Sequence, residues 1–165
     1  MAGTLNVIIS IEGVLKRPDS DAVIPAGQLL YHGLAETNVV HLATDHDTFN
    51  ASKAVTDHWL RRNGLTKHIR VIKPQTSDHY GLLGGIQALR PDLHVDLVVV
   101  ADPQTAADLL DAGYTTVLFT HPRYSRPQWK PDYHGEPRAW DELVAEIDQQ
   151  DQHYAQDTRR TAGPL

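Results

Sequence analysis

The run Leu97-Val98-Val99-Val100-Ala101 constrains the fold of this chain more than any other feature. It is continuous, dominated by β-branched side chains, and set between Asp96 and Asp102. A strand with one wet face alternates apolar and polar residues; a run with no polar position is buried on both faces. That environment exists in a parallel sheet covered by helices on either side.

Other short apolar runs repeat the theme. Residues 5–11, 39–43, 69–72 and 115–120 read as strands, and helical patterns alternate with them in the manner of βαβ units. The expected helix faces are Leu30, Gly33 and Leu34; Ala51, Val55 and Trp59; Leu82, Ile86 and Leu89; Ala106, Leu109 and Leu110; and Trp140, Leu143, Val144 and Ile147. Asn63-Gly64, Pro91 and Gly113 are the expected stops, and Pro103 suits a first helical position. The expected organisation is one α/β domain over residues 1–149 and a polar C-terminal tail over 150–165.

Composition narrows the function classes. The hydrophobic fraction of 41% belongs to a globular protein, and the formal net charge of -6 gives no global field for nucleic acid or anionic membrane. The absence of cysteine removes disulfides, thiolate zinc sites and cysteine nucleophiles. The first residues lack a basic stretch followed by a cleavable apolar segment, and no apolar run reaches spanning length. A cytoplasmic location without a membrane partner is the expectation.

In an open parallel sheet, ligands bind beyond the carboxyl ends of the strands. That rule singles out Ser10, Glu12 and Gly13 after the first strand, Thr44 and Asp45 after the second, and Asp102 after the fourth. Each alone is equally a turn former or a helix cap. Their order carries more. VIISIEGVL (residues 7–15) resembles the first motif of the haloacid dehalogenase (HAD) superfamily, an apolar strand followed by Asp-x-Asp-Gly-Thr/Val. VVHLATD resembles its second, and VVVADPQTAADLLDAGYTTVLF its fourth. The likeness covers nearly the whole chain. The stretch from His121 through Trp129 to Leu143 is similar to small HAD-like proteins of tailed actinobacterial phages.

This resemblance implies a three-layer, Rossmann-like α/β sandwich with a parallel five-stranded sheet in the order 5-4-1-2-3. The interval from Glu12 to Thr44 holds a hairpin and one helix, which resembles a member with no cap domain. It also implies that the chemistry is damaged. The family's nucleophile and magnesium ligand is an aspartate where this chain has Ser10, whose neutral hydroxyl needs an adjacent base and lies in no Gly-x-Ser-x-Gly elbow. The second acid is Glu12, longer by one methylene, and a displacement on the order of 1 Å costs about a hundredfold in rate. No lysine lies between Gln75 and Asp96, leaving Lys73 as the substitute. Thr44 and Asp102 match the family pattern, Asp102 being the one candidate metal ligand.

The leading expectation is therefore a pseudo-phosphatase acting as a binding or structural module, with Ser10, Glu12, Thr44 and Asp102 vestigial, phosphate or nucleotide as conceivable ligands, and no cofactor. The alternative is an active nucleotidase-like phosphohydrolase using Glu12, Thr44 and Asp102 with Mg²⁺. The resemblance also implies a phage-encoded protein in the host cytoplasm, a virion location staying open.

Ten histidines invite a metal hypothesis, but neither Asp45-His46-Asp47 nor Asp78-His79 matches a zinc spacing, and surface or capping roles are the plainer reading. His41, inside the second strand, is expected to be half-buried and hydrogen-bonded; Lys16 and Arg17 are expected in solvent. The segment carrying Arg123, Tyr124, Arg126, Trp129 and Lys130 is cationic and aromatic on an acidic protein. Packing over the sheet is its plain reading. A protein partner or self-association comes next, since these residue types dominate interface hot spots, and nucleic acid last.

Overall fold

The computed structural model describes residues 3–45 and 52–120. The chain divides into two units, Met1–Ser125 and Arg126–Leu165, and every described residue belongs to the first. Its strands are β1 (Asn6–Ser10), β2 (Val39–Ala43), β3 (Val71–Ile72), β4 (Leu97–Val100) and β5 (Thr116–Leu118). Its helices are α1 (Pro25–Ala35), α2 (Lys53–Arg62), α3 (Gly81–Leu89) and α4 (Pro103–Asp111). The strands are parallel and ordered β3-β2-β1-β4-β5, the expected order read from the other edge.

From β1 the sheet grows outward through α1 and α2, then the chain crosses back through α3 to β4 on the far side of β1. Right-handed crossovers therefore set α1 and α2 on one face and α3 and α4 on the other, giving three layers. Ile8, Ala43, Ile72, Val98 and Val100 pack with Leu82, Ile86, Ala106 and Leu109 on the second face. The alternate strand residues Val7, Ile9, Val40, Leu42 and Val99 are buried on the first, as are Tyr31, Trp59 and Leu60 from its helices. A fully buried side chain of this size contributes about 1.5–3 kcal/mol, so the branched residues of β1 and β4 hold the centre of the sheet.

Helix ends follow local chemistry. Pro25 and Pro103 lie at the starts of α1 and α4. Gly64 and Gly113 close α2 and α4 with positive φ, and the next residues, Leu65 and Tyr114, donate back to Leu60 and Leu109 at 2.9 Å. Helix faces are less faithful to the sequence patterns. Val55 is 66% exposed and Leu110 57%, while Thr56, Trp59, Leu60 and Asn63 turn inward on α2 and Thr105, Ala106, Asp108 and Leu109 on α4. On α1 the buried positions are Gly27 and Tyr31, and Gly33 is exposed. Both inward stripes keep i, i+3, i+4 spacing but include polar residues, which an apolar pattern cannot register.

The expected helix at Trp140, Leu143, Val144 and Ile147, and the boundary at residue 149, lie outside the described residues. Among those described, no helix is long and apolar enough to cross a membrane.

Candidate functional site

The carboxyl ends of β1, β2 and β4 meet as the βαβ pattern requires, with Ser10 beside Ala43 in the sheet. After Ser10 the chain makes one tight turn, Leu15 and Lys16 both donating to the Ile11 carbonyl at 2.9 and 2.8 Å. It then forms a short hairpin, with a bridge between Lys16 and Val23. Gly13 occupies the turn with φ +81, and a Cβ there would lie 2.5 Å from that of Ala101. Its glycine therefore meets two demands at once, a left-handed backbone and contact with the tip of β4.

Each of the strand-tip positions singled out in the sequence has a definite place. Ser10 is buried on the α3 and α4 side, two residues along from Ile8, and its hydroxyl makes no hydrogen bond to a described residue. Glu12 reaches across to β2, where its Oε2 accepts the Asp45 N–H at 2.8 Å. Burial pushes the Glu12 carboxyl above its ordinary range and the Asp45 charge adds to that, against the N–H bond that favours the anion. The Thr44 hydroxyl donates to the Ile72 carbonyl at 3.4 Å, beside the Thr44 N–H at 3.0 Å, closing β2 onto β3. Asp102 is the N-cap of α4: its Oδ2 accepts the Thr105 N–H at 3.1 Å and the Thr105 hydroxyl at 2.6 Å.

These partners bear on magnesium. The ion asks for hard, anionic oxygens in near-octahedral array. The described residues at the strand tips offer a neutral serine hydroxyl, the carboxyls of Glu12 and Asp45, and the Asp102 carboxylate, which already serves a helix end. Among the described residues no group of three or more His, Asp or Glu side chains converges to hold a metal. Lys73, which the resemblance offered in place of the family's lysine, is exposed at the end of β3.

A polar cluster that the sequence reading missed lies beside Asp102. His79, in the loop before α3, sets its Nδ1 2.5 Å from Oδ2 of Asp108. The Asp108 side chain is 7% exposed and that of His79 35%. The hydrogen bond to Asp108 raises the imidazole pKa, with the charges of Asp108, Asp78 and Asp102 adding to it against desolvation. The Thr105 hydroxyl also lies 3.4 Å from the His79 carbonyl, so one threonine touches both Asp102 and this loop. The available signal was Asp108 itself, an acid between Thr105 and Leu109 on the inward side of α4.

Two other expectations need correction. His41 is buried, and neither ring nitrogen has a hydrogen-bond partner. It shares a register position with Ile8 in the middle of the sheet, where backbone groups are occupied by the ladder. Lys16 and Arg17 are half-buried and paired, Lys16 with Asp21 at 2.9 Å and Arg17 with Asp19 at 2.8 Å, because the hairpin folds its acidic tip back on them. Lys16 Nζ also lies 5.7 Å from the centre of the Trp59 ring. Arg123, Tyr124, Arg126, Trp129 and Lys130 lie outside the described residues, as do His46 and Asp47.

No protein-family model and no curated protein matches the chain.

Proposed function

We propose that this chain is a catalytically degenerate HAD-like protein, a pseudo-phosphatase that works as a binding or structural module. The observation that carries this reading is the use made of Asp102. Both hydrogen bonds to its Oδ2 come from Thr105, so the acid after β4 organises a helix start. Glu12 and Thr44 are likewise engaged with the backbone of neighbouring segments, and no described residue hydrogen-bonds the hydroxyl of the serine at the tip of β1. The strand order and the hairpin after β1 support descent from the HAD architecture, without a cap domain. The similarity beyond residue 120 supports a phage-encoded protein of the host cytoplasm, with partner contacts through Arg123, Tyr124, Arg126, Trp129 and Lys130.

The experiment is turnover of p-nitrophenyl phosphate and deoxynucleotides with Mg²⁺, for the wild type and Ser10→Asp. The wild type is expected to be inactive; activity that Asp102→Ala abolishes refutes the reading. Gain of activity in Ser10→Asp alone identifies an intact scaffold whose nucleophile was lost. For the partner reading, size-exclusion chromatography with light scattering on Trp129→Ala and Arg126→Ala is the test. Unchanged assembly counts against that segment.

A further inference from the structure

Between the turn after β1, the hairpin and α2 lies a cavity of about 150 Å³. It is lined by Glu12, Lys16, Val55, His58, Trp59 and Arg62, among others. A cavity of this volume takes a molecule about the size of benzene. Its chemistry is mixed in an ordered way. Val55, Ile11 and Trp59 supply apolar wall, and Lys16, His58 and Arg62 supply donors.

The unpaired guanidinium of Arg62 favours an anion. Lys16 is paired with Asp21, so those two nearly cancel. The Arg62 guanidinium forms no ion pair with a described residue, although it lies near enough to Asp21 to help lower that carboxyl, after the larger effect of Lys16. The Glu12 carboxyl already accepts the Asp45 N–H at 2.8 Å, which leaves Arg62 as the charged group of the lining without a partner among the described residues. An arginine with no ion pair to a described residue has its planar fork open, and that fork matches the oxygens of a carboxylate or phosphate. The walls are braced: the Trp59 indole N–H donates to the Asp21 carbonyl at 2.8 Å, tying α2 to the hairpin.

We propose that this cavity is a binding site for a small oxyanion, a carboxylate or phosphate carried on a ring-sized apolar body. The oxyanion pairs with Arg62 and the body rests against Val55 and Trp59. The inference rests on reading the chain as a binding module, and it gives that module a ligand class.

The test follows the Trp59 indole resonance of the full chain in ¹H–¹⁵N spectra, assigned with Trp59→Phe. The probes are phenyl phosphate, benzoate and neutral benzyl alcohol, each to about 20 mM, since a site for so small an ion is expected to bind in the millimolar range. Saturable shifts with either anion support the site, and the tighter of the two identifies the headgroup. Arg62→Gln is expected to weaken binding at least tenfold and Arg62→Lys to restore part of it. Equal binding of benzyl alcohol, an unchanged affinity in Arg62→Gln, or no saturable shift overturns the proposal. Phenol release from phenyl phosphate is read in the same sample. Hydrolysis there refutes the pseudo-phosphatase reading whether or not the indole shifts, so the two failures are distinct.

Discussion

His79 and Asp108, 29 residues apart in sequence, form the shortest link between the loop before α3 and the body of α4, Nδ1 to Oδ2 at 2.5 Å. The carboxylate is buried and the imidazole is partly open, so the proton between them answers to solvent pH through one ring. Because the folded pKa of His79 is raised above the unfolded value, the pair's contribution is fully present below about pH 6.5 and is lost as pH rises through the folded value. Imidazole NMR titration is expected to place His79 above an ordinary histidine. Asp108→Asn should bring it down towards the ordinary value and flatten that part of the stability profile. An unmoved His79 titration in Asp108→Asn would refute the pairing.

His41 is expected to act in the opposite sense. Burial holds its pKa below the ordinary value, with the charges of Arg70 and His68 adding. Below about pH 6.5 the unfolded chain takes up a proton that the folded chain refuses, so stability falls as pH drops through that window. Both ring nitrogens also lack partners, a condition costing about 1–3 kcal/mol per buried group. His41→Leu is therefore expected to stabilise the protein, by about 1–2 kcal/mol at pH 5 and by less at pH 8. Urea denaturation at the two pH values measures it; an equal gain at both would remove the ionisation argument.

Asp102 gives a substitution that separates a helix cap from a metal ligand. Asparagine caps as well as aspartate, whereas alanine costs about 0.5–2 kcal/mol. Asp102→Asn is thus expected to stay within about 0.5 kcal/mol of the wild type in denaturant unfolding, and Asp102→Ala to lose about 1 kcal/mol or more with the Thr105 hydroxyl left unpartnered. If Asp102→Asn is as destabilising as Asp102→Ala, the carboxylate's charge matters beyond the cap.

Gly27 tests the seating of α1. A Cβ at this position would lie 1.6 Å from the Val14 carbonyl oxygen, a backbone atom that cannot swing aside. Gly27→Ala is expected to cost about 1–3 kcal/mol or more, despite alanine's better helix propensity. Thermal unfolding with far-ultraviolet circular dichroism measures it, and a neutral result would mean that α1 shifts freely.

The central layer of this fold was legible because Val98, Val99 and Val100 admit only one environment, and because Gly64 and Gly113 sit where helices must stop. Helix faces were harder. Ala51, Val55 and Trp59 recur every four residues, which drifts about 40° per step around a helix with 3.6 residues per turn. The inward face carries Thr56 and Asn63, both half-buried, which no hydropathy pattern foretells. The strand-tip positions were legible as positions, since topology puts them there. What they bond to was not. Nothing in the sequence says that Glu12 accepts the Asp45 N–H, or that Asp108 stands opposite His79, because both links depend on the distance between segments that only the assembled sheet sets.

The contact of Gly27 with Val14 has a consequence for how this chain can change. It leaves no clearance under the start of α1, so extra residues placed near Val14 would have to pry the helix from the sheet. At the other end of the hairpin, residues 18–20 are exposed, and the ties to the body begin at Asp21, which holds the Lys16 ion pair and accepts the Trp59 indole N–H. Growth of a lid or graft of a foreign segment is therefore tolerated at that outer bend and refused a few residues closer in.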